Sequence, residues 1–349
     1  MAGATRAHGP GKGGQGDEGL QGLGGTTSER SWNDSPMTPH ILLFVVGLIT
    51  LTLGADWLVT GASRVASRHG VSPLMVGLTI VAFGTSAPEL VVSTAASIQG
   101  NGGLAIGNIM GSTVANVGLI IGIGALIRPI VVHQRLLQRE TPLLVFVLLI
   151  VMVLSLNGEL GRVDGLLLLG GFSVYLYRLH KWGGKMTFPG VNLEPRQEPR
   201  TGGRMYVNWV RICLGLVLLV AGAQWLVDSA VNLARMLNVP DEVIGATAVA
   251  VGTSIPEMAS TIAAATRGMG DLAMGNIIGS NIFNLGLVLG TAALVNPIQL
   301  APFTVVAEVV PALVFCLALI PLAMSGSRVS RWEGGLLLVG YAAFIYIVL

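Results

Sequence analysis

Charge is what this sequence has least of. Only 11% of its 349 residues are Asp, Glu, Lys or Arg, against roughly 25% in an ordinary soluble domain, while 52% are hydrophobic. A chain this poor in charge cannot cover a water-facing surface, so most of it is solvated by lipid. Cysteine is nearly absent. Cys213 and Cys316 stand singly inside apolar runs, which excludes a disulfide framework and a thiolate metal centre. The five histidines, His8, His40, His69, His133 and His180, fall in the N-terminal tail, in loops or at the ends of apolar runs, so none is placed to relay protons through a core. A net charge of +2 leaves no footprint for nucleic acid.

What is present is long apolar segments. Stretches long enough to span a bilayer lie near 41–63, 71–99, 103–127, 141–158, 163–180, 207–234, 240–266, 271–295, 302–324 and 332–349. The expected fold is therefore an all-α membrane protein of ten transmembrane helices. Residues 1–36 are Gly-rich and polar and too poor in apolar area to offset the entropy of ordering. They are expected to be a disordered tail, with Met37, directly before the first apolar run, as the alternative start. Of the 20 Lys and Arg residues, Arg6, Lys12, Arg30, Arg162 and Arg235 fall on one side of the membrane and the other fifteen on the opposite side. The positive-inside rule then puts both termini outside a cell's inner (plasma) membrane and the Pro-containing 181–206 loop in the cytoplasm, as a linker.

The linker separates two copies of one unit. An offset of 168 carries Gly54 to Ile130 onto the second half without a gap: Val81-Ala-Phe-Gly-Thr-Ser-Ala-Pro-Glu89 meets Val249-Ala-Val-Gly-Thr-Ser-Ile-Pro-Glu257, and Gly107-Asn-Ile-Met-Gly-Ser-Thr-Val-Ala-Asn116 meets Gly275-Asn-Ile-Ile-Gly-Ser-Asn-Ile-Phe-Asn284. The chain reads as a five-helix repeat over 37–180 and a second over 207–349. Five spans, an odd number, separate equivalent positions, so the copies are inverted, as in alternating-access transporters whose site lies at the midplane.

The repeated Gly-Thr-Ser-X-Pro-Glu has a physical logic. Pro88 and Pro256 cannot donate a backbone hydrogen bond, which strains the helix and frees carbonyls one turn earlier. Thr85 and Glu89 stand at i and i+4 on one face, with Ser86 beside them, and Thr253, Ser254 and Glu257 repeat the arrangement. On the following helices Asn108, Ser112 and Asn116, and Asn276, Ser280 and Asn284, each line one face. Together these give two carboxylates among hydroxyl, amide and carbonyl oxygens, the all-oxygen donor set that hard cations prefer. Taken singly, a mid-span Ser or Thr more often bonds its own helix, and Gly107, Gly111, Gly275 and Gly279 read as close helix packing. The glutamates differ. An ionisable group at mid-bilayer costs upwards of about 2.5 kcal/mol and marks function. Asp56 and Asp228 lie towards span ends and read as structural, and Glu140, beside Arg139 at a helix start, reads as a helix-dipole partner. It and its mate Glu308 are left out of the site.

At these residues the chain resembles the calcium/cation antiporter superfamily, whose paired repeats carry the same two motifs. The short central loop is similar to that of the microbial sodium/calcium exchangers. The resemblance implies Ca2+ ligation by Thr85, Glu89, Thr253 and Glu257. It also implies Na+ sites completed by Ser86, Ser112, Ser254, Ser280 and backbone oxygens of Ala82 and Ala250, and a first and sixth helix that slide across the other eight. Two positions depart from the family pattern: Thr113 stands in place of Asn, and Asn284 in place of the Asp of many microbial members. The implied function is export of Ca2+ in exchange for Na+ with no cofactor, the ions and the bilayer being the only partners and no obligate protein partner evident. The rival readings are a proton- or potassium-coupled cation exchanger and, from another class, a passive cation channel. An inverted repeat within one chain favours alternating access over a channel. Nothing supplies the nucleophile and base of an enzyme.

Overall fold

The computed structural model describes residues 37–69, 71–183, 205–237, 251–300, 303, 305–324 and 326–348. The tail at 1–36, nearly all of the 181–206 linker, the start of the seventh span and Ala250 lie outside the described residues. Ten helical segments follow in order. They are α1 (Met37–His69), α2 (Pro73–Thr85 and Ala87–Ile98), α3 (Gly102–Ile127), α4 (Leu136–Asn157), α5 (Arg162–Gly183), α6 (Met205–Met236), α7 (Ile255–Thr266), α8 (Gly270–Val295), α9 (Val305–Val309 continued by Val310–Met324) and α10 (Arg331–Val348). Six are each long and apolar enough to cross a membrane, and the bent α2 makes a seventh. The segments α5, α7 and α10 complete the ten.

Local chemistry sets the boundaries. Ser72 caps α2, its hydroxyl accepting the Met75 N–H, with Pro73 in the first turn where no donor is needed. Asn101 caps α3 by accepting from Leu104 N at 3.1 Å. The two halves of α2 meet at Ser86 with a bend of 45°, and Pro88 opens the second half, so the break expected from the proline is realised there. In α3 and α8 the helix widens to a π-type turn over Asn116–Ile121 and Asn284–Val288, a distortion found mostly at functional positions.

The two repeats interlock. Strand β1 (Ile130–Val131), after α3, pairs with β4 (Arg328–Val329), between α9 and α10, while β2 (Glu159–Leu160), between α4 and α5, pairs with β3 (Ile298–Gln299), after α8. Each repeat thus ties its third-helix exit to the other repeat's fourth-helix exit. Glycine permits the close approach beside each ribbon: a Cβ on Gly102 would stand 2.7 Å from the Gln299 carbonyl, and one on its mate Gly270 2.8 Å from that of Val131. The first half of α2 lies equally close to α8 through Gly77 and Gly275. Gly107 departs from the packing role expected of it, since a Cβ added there would first meet the Glu308 carboxylate, at an ordinary 3.6 Å.

Helices α1 and α6 form a pair of their own. Gly47 packs on the backbone at Gly222 and Leu226, and Gly54 on that at Gly215 and Leu219, contacts related by the same offset of 168. Small residues let two membrane helices approach until their backbones touch. The pair is tied to the end of α7 by Arg267, which makes a salt bridge to Asp56 and donates to Thr60 Oγ1 at 2.8 Å. Asp56 has the structural role expected of it. Asp228 accepts from Gln224 at 2.9 Å.

Candidate cation site

The breaks in α2 and α7 carry the chemistry. Glu89 lies in the first turn of Ala87–Ile98 and Glu257 in the first turn of Ile255–Thr266, so each carboxylate sits at a half-helix N-terminus, where the peptide dipoles stabilise negative charge. Both are fully buried. Neither has an ion-pair partner among the described residues.

Hydroxyls surround them. Glu257 Oε1 accepts from Ser86 Oγ at 3.2 Å and Ser280 Oγ at 3.4 Å, and Glu89 Oε1 accepts from Ser112 Oγ at 3.5 Å. The threonines cross between repeats. Thr85 Oγ1 donates to Asn276 Oδ1 at 3.2 Å and lies 3.4 Å from Ser280 Oγ on α8, while Thr253 Oγ1 donates to Asn108 Oδ1 at 3.1 Å and lies 3.3 Å from Ser112 Oγ on α3. Each repeat therefore completes the other's half of the site. Asn108 and Asn276 are in turn held by Ser93 at 2.9 Å and by Ser260 and Thr261 at 2.9 and 3.0 Å. This outer ring fixes the inner one.

The oxygens left over define what the site can hold. Glu89 Oε2, Glu257 Oε2, Ser254 Oγ, Asn116 Oδ1 and Asn284 Oδ1 are buried with no hydrogen-bond partner. Buried acceptors without a donor are costly and rare in native structures, and five of them on residues of one cluster fit a ligand that needs oxygens and brings no hydrogen-bond acceptor of its own, a bare cation.

Eleven of the twelve residues expected at the site are described. Glu89, Glu257, Thr85, Thr253, Ser86, Ser112 and Ser280 are joined by the hydrogen bonds above. Ser254, Asn116 and Asn284 are buried as well, but their side chains make no hydrogen bond to those seven. The Ala82 carbonyl is not left free by the proline, because it accepts from Ser86 N at 3.0 Å. Glu140 stands directly before Thr141–Leu154, the helix-start position read from the sequence, and there pairs with Arg135 at 3.1 Å. Sequence reasoning missed the outer ring of Ser93, Ser260 and Thr261, and it missed Asn281, whose Oδ1 accepts from Asn116 Nδ2 at 2.8 Å. The available signal for Asn281 was its repeat mate Thr113, the one polar position at which the two motifs differ.

Ten helices in two inverted repeats, enclosing a paired-carboxylate oxygen site at their meeting point, define a secondary transporter of inorganic cations. The chain belongs to the sodium/calcium exchanger protein family, whose pattern matches residues 39–180 and 207–349. It is 34% identical to the sodium/calcium exchanger MaX1 of Methanosarcina acetivorans, over 89% of this chain and 99% of that one. It is also 38% identical to the inner membrane protein YrbG of Escherichia coli, over 74% of this chain and 81% of the other. Among solved structures, the sodium-calcium exchanger NCX_Mj superposes with a TM-score of 0.77 at 32% identity, covering 89% of this chain and 99% of that one.

Proposed function

We propose that this protein moves Ca2+ out of the cell against Na+ influx by alternating access, binding Ca2+ between Glu89 and Glu257 and completing the shell with Thr85 and Thr253. Ser86, Ser112, Ser254, Ser280, Asn116 and Asn284 supply the neutral oxygens for Na+. The observation that carries this reading is the pair of fully buried carboxylates, each with one oxygen unpartnered. With both ionised the site has a charge of about −2, which one Ca2+ cancels, so the loaded centre can cross the low-dielectric interior without net charge.

Thr253 is half-buried while its mate Thr85 is fully buried, and at the far end of α7 the Arg267 contacts to Asp56 and Thr60 hold the α1–α6 pair in place. The mates of Arg267, Asp56 and Thr60 are Gln99, Gln224 and Asp228, and there Gln224 bonds within its own helix. An asymmetric tie between otherwise symmetric halves fits a transporter resting in one of two access states. The protein is tested by reconstitution: purified chain in Na+-loaded vesicles accumulates radioactive Ca2+ and releases it when Na+ is added outside, and vesicles that do neither contradict the proposal.

The orientation follows from the basic residues and has its own test. With Cys213 and Cys316 replaced, single cysteines placed at 185–200 react with a membrane-impermeant thiol reagent in inside-out vesicles and stay unlabelled in intact cells. Labelling in intact cells reverses the assignment of the 181–206 loop to the cytoplasm.

A further inference from the structure

Asn281 is fully buried on α8, one position beyond Ser280, and its Oδ1 accepts a 2.8 Å hydrogen bond from Asn116 Nδ2 on α3. A carboxamide is planar, with nitrogen and oxygen at opposite corners, so holding the Nδ2 of Asn116 decides where its Oδ1 points. That oxygen is buried and has no partner. Asn116 lies one turn beyond Ser112, which bonds Glu89, and at the start of the π-type turn Asn116–Ile121.

The repeat-related pair, Thr113 and Asn284, lacks the device. The mate of Asn281 is Thr113, whose hydroxyl donates to the Ile109 carbonyl of its own helix at 2.9 Å, and correspondingly neither amide atom of Asn284, the mate of Asn116, has a hydrogen-bond partner. Two amides at equivalent places thus differ: one is held across the repeat interface and the other is not.

We infer that Asn281 is a positioning residue for Na+: by holding the Asn116 amide it keeps that carbonyl oxygen turned to the cation layer. This rests on the reading of the layer as a Na+ and Ca2+ site. The selectivity follows from charge. Two carboxylates cancel one Ca2+, but Na+ loading beyond two ions leaves positive charge that only neutral oxygens can solvate. An amide oxygen oriented in advance does so without the entropic penalty of ordering it on binding. Removing the hydrogen bond therefore weakens Na+ binding far more than Ca2+ binding.

The test uses the full-length protein in detergent, with ion-dependent thermal stabilisation as the readout, titrating NaCl and CaCl2 separately, and repeats the Na+ dependence of Ca2+ exchange in proteoliposomes. Asn281→Ala raises the half-saturating Na+ concentration about tenfold, the loss expected for one oriented hydrogen bond, and changes that for Ca2+ less than about twofold. Asn281→Asp, which keeps an oxygen to accept the Asn116 N–H, restores Na+ dependence to within about threefold of native. A native Na+ dependence in Asn281→Ala overturns the inference. So does equal weakening of both ions, or an Asp variant as impaired as the Ala variant, since either would mean a merely structural role. Glu257→Gln run alongside separates this from the underlying reading: if that variant keeps Ca2+-dependent stabilisation, the cation site itself is wrongly placed, whatever Asn281 does.

Discussion

Glu89→Gln and Glu257→Gln each reduce Na+-driven Ca2+ uptake to the leak of protein-free vesicles. Each change removes one of the two charges that neutralise the dication in a site where both side chains are fully buried. Breaking a buried ionic contact by deleting one partner costs about 3 kcal/mol or more, over a hundredfold in affinity. The fold survives, because a neutral amide is easier to bury than an ionised carboxylate, and Gln can still accept the Ser112 and Ser280 hydroxyls that reach the Glu side chains now. The check is paired: transport in vesicles and a monodisperse elution profile for each variant. Near-normal uptake by either variant would remove that carboxylate from the site.

Gly222→Ala gives the second large effect, by a different route. A Cβ there would stand 2.5 Å from the backbone nitrogen of Leu51 and 2.9 Å from the Gly47 carbonyl, so α1 and α6 must separate. Overpacking of this kind costs about 1–3 kcal/mol. The pair is the element proposed to slide, so transport falls further than stability, by about tenfold or more where the separation misplaces the helices. Gly171→Ala is the control. Nothing lies within 4 Å of the added carbon, and replacing a helical glycine there is neutral or stabilises by up to about 1 kcal/mol. Transport rates and unfolding midpoints of the two variants decide it, and equal behaviour would mean that the α1–α6 contact is not tight.

How far the sequence reaches is clear from particular residues. The glutamates, the proline break in α2 and the packing glycines Gly275 and Gly279 are visible, because burying charge in lipid, breaking a helix and packing helices closely leave signatures in one dimension. Hydrogen bonds between distant helices leave none. That Thr85 reaches Asn276 and Ser280 instead of its own repeat depends on how the repeats cross. So does the choice of Arg267 as partner for Asp56, two residues more than 200 positions apart. The repeat itself was legible only while its offset held. Past the fourth helix one extra residue enters: Gly158 and Gly326 both have positive φ, but Ser327 follows the second with φ of 53°, and Leu160 and Val329 then occupy matching places in the two ribbons. A constant shift of 168 fails there by one, which hides the equivalence of Asp164, accepting from Gly161 N at 2.8 Å, with Glu333, accepting from Ser330 N at 2.7 Å. The Ala82 carbonyl shows the opposite limit. Proline chemistry says which donor is lost, while the neighbouring serine decides where the acceptors go.

The central claim, that Na+ drives Ca2+ through the Glu89–Glu257 site, is tested most directly by Ca2+ uptake into proteoliposomes under outward gradients of Na+, K+ or H+ imposed one at a time. The account predicts accumulation above equilibrium with Na+ alone, lost in Glu257→Gln. Accumulation driven by K+ or H+ with Na+ inert, or Ca2+ that merely equilibrates whatever the gradient, as through a passive channel, would contradict it.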